Sequence, residues 1–235
     1  HKVLRDLLRR RVADGVVNRL IGKWLRAGVL EEGRLCHPET GSPQGGVISP
    51  LLANIYLHEV IDGWWSETVR PRLRGEAFMV RYADDFVMVF SREQDAKRVL
   101  AVLPKRVQRF GLTVHPEKTR LLCHQRPRKR QRDEKSGSFD FLGFTHFWGL
   151  SRKGRWIPKR KTAKGRLSRA LRRVNKWLRY ERHRSVPEQA QHLGQKLRGH
   201  YGYYGVSGNS KALGQFSHGV KRLWWKWLGR RSQRA

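Results

Sequence analysis

Asp84 and Asp85 stand side by side in the tetrapeptide Tyr82, Ala83, Asp84, Asp85, between the apolar runs 78–80 and 86–90. Both runs are rich in Val, Phe and Met and too short for helices, so the segment reads as strand, turn, strand, with the loop carrying both acids outward. Adjacent carboxylates repel. At the end of a buried hairpin the repulsion is weakly screened, so one acid takes up a proton unless a cation sits there. A pair of Mg2+ ions offsets that cost, because hard divalent cations take carboxylate oxygens, and two of them ~3.5–4 Å apart clamp the attacking and leaving oxygens of phosphoryl transfer. For the tetrapeptide alone, a solvated turn is the competing reading, since Asp is common in turns.

Something must hold that turn, and the segment upstream is a candidate. Gly41, Ser42, Pro43, Gln44, Gly45, Gly46, Val47, Ile48, Ser49 and Pro50 contain three glycines and two prolines, which excludes a helix interior. An apolar helical run, Leu51, Leu52, Ala53, Asn54, Ile55, Tyr56 and Leu57, follows directly. Ser49 reads as its N-cap and Pro50 as its first residue, where a missing N–H does least harm. A glycine-rich loop feeding a helix start brings bare backbone close to a base pair or phosphate.

Together these segments resemble the reverse transcriptases encoded by group II introns, whose motifs commonly read Ser-Pro-Gln-Gly, then Pro-Leu-Leu-Ala-Asn, then Tyr-Ala-Asp-Asp. The resemblance continues in order. Gly111, Leu112, Thr113, Val114, His115, Pro116, Glu117, Lys118 and Thr119 look like the next motif, with its lysine at Lys118. Phe139, Asp140, Phe141, Leu142, Gly143 and Phe144 look like the primer grip that ends the palm. Leu197, Arg198, Gly199, His200, Tyr201, Gly202, Tyr203, Tyr204 and Gly205 resemble the intron-maturase segment.

The resemblance implies a two-metal nucleotidyl transfer. Asp84 and Asp85 are its expected metal ligands and catalytic residues, with two Mg2+ ions as cofactor. Lys118 is either a proton donor to pyrophosphate or a phosphate contact. Ser42, Pro43, Gln44, Gly45, Gly46, Tyr82 and Ala83 are expected to line the nascent base pair, and Phe141, Leu142, Gly143 and Phe144 to place the primer. The implied partners are group II intron RNA, an RNA template with a DNA primer, and deoxynucleoside triphosphates. The family's palm carries another metal-binding Asp before a helix that resembles His1, Lys2, Val3, Leu4, Arg5, Asp6, Leu7 and Leu8. This chain starts after that Asp, so the expectation is an amino-terminally truncated chain that is inactive alone. A non-enzymatic intron maturase, or the reverse transcriptase of a retron or other retroelement, is the alternative.

Composition agrees with a polyanionic partner. Lys and Arg total 51 against 19 Asp and Glu, a formal net charge of +32. From residue 141 onward there are 24 cations and two acids, Glu181 and Glu188, leaving +22 in the carboxy-terminal part. No run approaches the ~18 apolar residues of a spanning helix, so no membrane role is expected. Cys36 and Cys123 are too few for a disulfide framework or zinc site, which suits an intracellular setting, the bacterial cytoplasm or alternatively an organelle.

The expected fold is α+β. A partial polymerase palm over 1–149 has helices packed on one face of an antiparallel sheet, and an all-helical, strongly basic thumb or maturase domain spans 150–235. Helices are predicted near 3–20, from Pro50 to about Val60, and near 93–110, with an exposed charged loop over 126–137. In the second region Leu167, Leu171, Val174 and Leu178 share one helical face. Arg166, Arg169, Arg172, Arg173, Lys176 and Arg179 cover the rest as candidate RNA contacts. Phe216, Val220, Leu223, Trp224, Trp227 and Leu228 form another stripe, read as core or as base-stacking platforms. Tyr201, Tyr203 and Tyr204 cannot all share one buried helix face.

Overall fold

The computed structural model describes residues 1–27, 46–127 and 137–231, together with the backbone of two short paired strands, β1 (Val29–Glu31) and β2 (Arg34–Cys36). The chain divides into two compact units, His1–Leu121 and Leu122–Ala235.

The first unit opens with α1 (Lys2–Arg9) and α2 (Gly15–Arg26) rather than the single helix expected near 3–20. Asp14 makes the break: its backbone is extended, and its Oδ1 accepts the amides of Val16 at 2.6 Å and Val17 at 3.2 Å. An Asp before Gly is a helix-start signal that outweighs the apolar period running through it. Leu8, Ile21, Leu25 and Leu52 form the local core, joining α1 and α2 to α3 (Ser49–Leu57).

Helix α3 starts one residue earlier than expected, with Ile48 at the cap position and Ser49 and Pro50 in the first turn. It also runs on beyond Val60, as a π-helical stretch, His58–Val69, and a final 3-10 turn, Arg70–Arg72. Gly63 falls within the stretch but off its buried positions, and the apolar series Val60, Ile61, Trp65 and Val69 carries the packing through it. The rod and α4 (Glu93–Gln108) pack on one face of the antiparallel hairpin β3 (Ala77–Tyr82) and β4 (Asp85–Phe90). The packed face presents Ala77, Met79, Phe86, Met88 and Phe90 to Val60, Ile61, Trp65, Val69, Val99, Leu103 and Val107. After α4 the chain folds back, so that Leu112 and Val114 join the same core.

The second unit holds a three-stranded antiparallel sheet in the order β5 (Phe139–Phe141), β6 (Phe144–Leu150), β7 (Trp156–Thr162). Strand β7 lies inside the region expected to be all-helical. Pro158 and the cations Lys159, Arg160 and Lys161 mask its strand pattern, and Pro158 is tolerated because β7 is an edge strand. Three helices follow: α5 (Lys164–Tyr180), α6 (Val186–Tyr204) and α7 (Ser210–Leu228). Their core is Val174, Leu178, Leu193, Phe216, Val220 and Trp227, with Leu167, Leu171, Leu223 and Trp224 packed against it. The stripe tryptophans 224 and 227 are therefore core residues. Their indole N–H groups donate to Gln189 and Asn175, both at 2.8 Å.

Candidate active site

Strands β3 and β4 are joined by a two-residue turn, Ala83 and Asp84, closed by the pair Tyr82 and Asp85. Ala83 sits in the left-handed region at φ 52°. A positive φ at the first turn position matches the right-handed twist of the strands, but glycine is its usual occupant, and an alanine there costs about 1 kcal/mol.

Arg81 holds that conformation from beneath. Its Nε and one terminal nitrogen donate to the two Asp62 oxygens at 2.7 and 2.6 Å. The other terminal nitrogen donates to Asn54 Oδ1 at 3.0 Å and to the Ala83 carbonyl at 2.8 Å. One planar fork therefore ties the turn to both the α3 motif and the π-helical stretch. His58 Nδ1 lies 3.2 Å from Asp62 Oδ2 on the other side. The Arg81 hydrogen bond holds the Asp62 carboxyl below the usual carboxylate range, and Asp62 in turn raises Arg81. Tyr56 anchors the same helix by donating from its hydroxyl to the Phe110 carbonyl at 2.7 Å.

With Arg81 turned inward, strand alternation puts Asp85 on the opposite face with Tyr82, Val80 and Phe78. That face is open: Phe78, Val80 and Tyr82 are 62, 58 and 66% exposed. The hairpin is thus not the buried element expected from its composition, and the repulsion between Asp84 and Asp85 is relieved by solvent rather than confined. Neither carboxylate accepts a hydrogen bond or joins an ion pair with any described residue. Two exposed, adjacent and unpaired carboxylates in so basic a chain suit a hard divalent cation as a partial donor set. Among the described residues no group of three or more acidic, His or Cys side chains gathers to complete it.

The other expected site residues are distributed as follows. Ser42, Pro43, Gln44 and Gly45 lie outside the described residues. Gly46 accepts the Ser49 amide at 3.0 Å, at the start of α3. Tyr82 and Ala83 flank the acids. Lys118 is exposed in a turn at 116–118, and no hydrogen bond or ion pair joins it to Asp84 or Asp85. Most of the charged loop 126–137 also lies outside the described residues.

In the second unit, Leu142 and Gly143 form the turn between Phe141 and Phe144, at φ 49° and 78°. Two consecutive positive φ values define a type I′ turn, which twists with its strands. The maturase-like segment covers this turn. The Tyr203 hydroxyl donates to the Leu142 carbonyl at 3.0 Å, and the rings of Tyr203 and Tyr204 lie 5.9 and 5.2 Å from that of Phe144. Helix α5 turns Val174 and Leu178 inward, while the candidate RNA-binding cations Arg166, Arg169, Arg172, Arg173, Lys176 and Arg179 are all exposed.

Sequence reasoning missed three residues that hold these parts. Arg81 looked like one more cation in a chain of 51. Buried Asp95 accepts the amides of Arg74 and Gly75, both at 3.0 Å, and fixes the approach to β3. Asn209, also buried, accepts the Thr162 amide at 2.9 Å and donates to Thr162 Oγ1 and the Tyr204 carbonyl, both at 2.8 Å. Side chains that satisfy distant or irregular backbone leave no periodic trace. Only the polar residue in an otherwise apolar or turn context hints at them.

Residues 3–146 match the family model described as reverse transcriptase (RNA-dependent DNA polymerase). Similar curated proteins include the group II intron-encoded protein LtrA of Lactococcus lactis subsp. cremoris, 47% identical over 60 residues, covering 26% of this chain and 10% of that protein. Protein YkfC of Escherichia coli K12 is 35% identical over 117 residues, covering 38% of this chain and 30% of its own length. An uncharacterized 91 kDa protein in the cob intron of Schizosaccharomyces pombe is 29% identical over 172 residues, covering 52% and 21%. The chain thus spans between a tenth and about a third of the length of these relatives. The likeness to group II intron-encoded proteins read from the motifs is borne out. With the Asp84 turn, its Arg81 fork and the α3 motif all inside the matched segment, the chain belongs to the reverse transcriptase (RNA-dependent DNA polymerase) family.

Proposed function

We propose that this chain is the palm, with the following thumb and maturase region, of a group II intron reverse transcriptase that copies an RNA template from a DNA primer. The observation that carries the reading is the pair of exposed, unpartnered carboxylates on a turn held from beneath by Arg81 and Asn54. Asp84 and Asp85 would hold Mg2+, which when bound supplies a more acidic primer hydroxyl and neutralises phosphate charge. Arg81 and Asn54 keep the turn in one place, so the carboxylates need no reorganisation. Gln44, Gly45 and Gly46 line the nascent pair with an incoming deoxynucleoside triphosphate. Residues 141–144 place the primer, and Lys118 contacts the departing phosphates or donates a proton to them. On this reading the catalytic part is 1–149 and the thumb or maturase part 150–235, and the protein works inside the cell. Among the described residues no helix is long and apolar enough to cross a membrane.

The test is primer extension by the full gene product carrying Asp84→Asn. Mg2+-dependent cDNA synthesis is expected to disappear while RNA affinity stays near wild type. Wild-type extension by the variant would remove the assignment. A second reading, splicing assistance by RNA binding, is favoured by the six exposed cations of α5. It predicts that the same variant still supports splicing of its cognate intron at low Mg2+.

A further inference from the structure

We propose that the trough between α1 and α2 is a second RNA-binding site, which grips the phosphodiester backbone without reading sequence. The proposal rests on the RNA-binding reading above but places the grip in the first unit, on residues separate from the cations of α5.

The trough is a concavity of about 580 Å³. Half of its ten lining residues are cations, Arg5, Arg9, Arg19, Lys23 and Arg26, and none is acidic. The arrangement follows from helix geometry. On α2 the lining residues 15, 18, 19, 22, 23 and 26 recur at three- and four-residue intervals, a single stripe, and Arg5 and Arg9 face them one turn apart on α1. Ile21 and Leu25 turn the opposite way into the core, so the basic stripe is held rigidly. Of the acids on these two helices, Asp6 makes a long, exposed pair at 3.9 Å with Arg9, one of the five lining cations, and Asp14 caps α2.

The shape and the lining select the ligand class. The stripe on α2 extends over about 16 Å at ~1.5 Å per residue, which suits successive phosphates along a strand better than one compact triphosphate. Among the described residues no aromatic side chain lines the trough, so its lining offers bases nothing to stack on and addresses the backbone. Gly22 forms part of the floor, and a Cβ added there meets nothing within 4 Å. The trough therefore has room that a side chain at 22 would occupy without pushing on the fold.

The experiment titrates the 235-residue chain into two labelled RNAs, an unstructured uridine 20-mer and a stable hairpin, read by fluorescence anisotropy at ~0.1 M salt. These separate single-strand from duplex backbone. Arg19→Glu with Lys23→Glu is expected to weaken binding at least about tenfold. The slope of log affinity against log salt should flatten by roughly 0.7–0.9 for each phosphate no longer neutralised. A control of equal charge, Lys105→Glu with Arg109→Glu on exposed positions at the end of α4, changes binding less than about threefold, because such charges act only within the ~10 Å screening length. Gly22→Leu blocks the trough at unchanged net charge, is favoured by helix propensity, and is expected to weaken binding as well. Thermal melts check folding, and the charge-reversal pair decides the question even if Gly22→Leu does not fold. Equal weakening by the two charge pairs, or wild-type binding by a folded Gly22→Leu, overturns the site while leaving the RNA-binding reading intact. So does displacement of RNA from the wild type, but not from Arg19→Glu with Lys23→Glu, by a deoxynucleoside triphosphate. Failure of the unaltered chain to bind either RNA overturns both.

Discussion

Two hairpin turns of this chain, at 82–85 and 141–144, face the same local problem and meet it differently. Each puts a non-glycine residue in the left-handed region, Ala83 in the first unit and Leu142 in the second. The Ala83 turn is held from below by the Arg81 fork and keeps its outer side open, with Asp84 and Asp85 exposed. The Leu142 turn is covered from outside: Tyr203 hydrogen-bonds its carbonyl and Tyr204 packs on Phe144, with Asn209 tying the Tyr204 carbonyl to the end of β7. A turn that must present carboxylates to a ligand can be supported only from the side away from it. A turn that orients a strand can be covered.

The comparison is broken most severely at Arg81. Arg81→Ala takes both guanidinium donors from the partly buried Asp62 carboxylate, leaving it only the His58 ring nitrogen at 3.2 Å, and strips the Asn54 amide oxygen of its Arg81 donor; the loss is expected to cost about 3 kcal/mol. Urea unfolding measures the loss, and hydrogen exchange should show faster exchange at Ala83 and Asp84. Arg81→Lys keeps the charge but not the fork, so it should recover less than half. Unchanged exchange at the turn in Arg81→Ala would mean that strand pairing alone holds it.

On the covered side the corresponding break is Asn209→Ala. It removes three hydrogen bonds at a buried position and leaves the Thr162 amide with no acceptor, an expected cost of about 2 kcal/mol. The effect should appear as faster exchange along β7 and α6, with β3 and β4 unchanged.

Neither support is legible in the sequence, although the elements they hold are. The hairpin at Tyr82–Asp85 and the helical stripes over Leu167–Leu178 and Phe216–Leu228 were legible, because period 2 and period 3.6 record which face is buried. Asp14, Arg81, Asp95 and Asn209 were not, because each acts through one side chain on distant or irregular backbone, and nothing periodic marks it. Strand β7 was hidden by its own charge: an edge strand needs only one apolar side, and Lys159, Arg160 and Lys161 outweighed Trp156 and Ile157. The Asp pair was legible as chemistry and as an outward-facing turn, but the open face beside it was not, since the apolar runs read as a buried hairpin and Phe78 and Val80 are exposed instead.

The smallest expected effect sharpens the comparison through pH. In the second unit the ring of His200 stacks on Phe216 at 3.8 Å, and its Nε2 is buried without a partner, so burial holds its pKa below the ordinary histidine value. His146 is also lowered, by burial first and then by Arg160 and His124. A group whose folded pKa is depressed contributes stability that is present in full above its unfolded pKa, about 6.5 for histidine, and is lost as pH falls through the folded value. In the first unit the depressed group at the clamp is Asp62, lowered mainly by its Arg81 hydrogen bond, so the same reasoning starts from about 3.9. Acidification from pH 7 to 5 should therefore weaken hydrogen-exchange protection in the core around Leu193 and Val220, after correction for intrinsic rates. Protection around Val60 and Leu103 should hold until the carboxylate range. His200→Phe should remove most of the early loss, since a phenyl ring keeps the stack and has no proton to gain. Parallel losses in both cores between pH 7 and 5 would show that the buried rings of the second unit are not what acid attacks first.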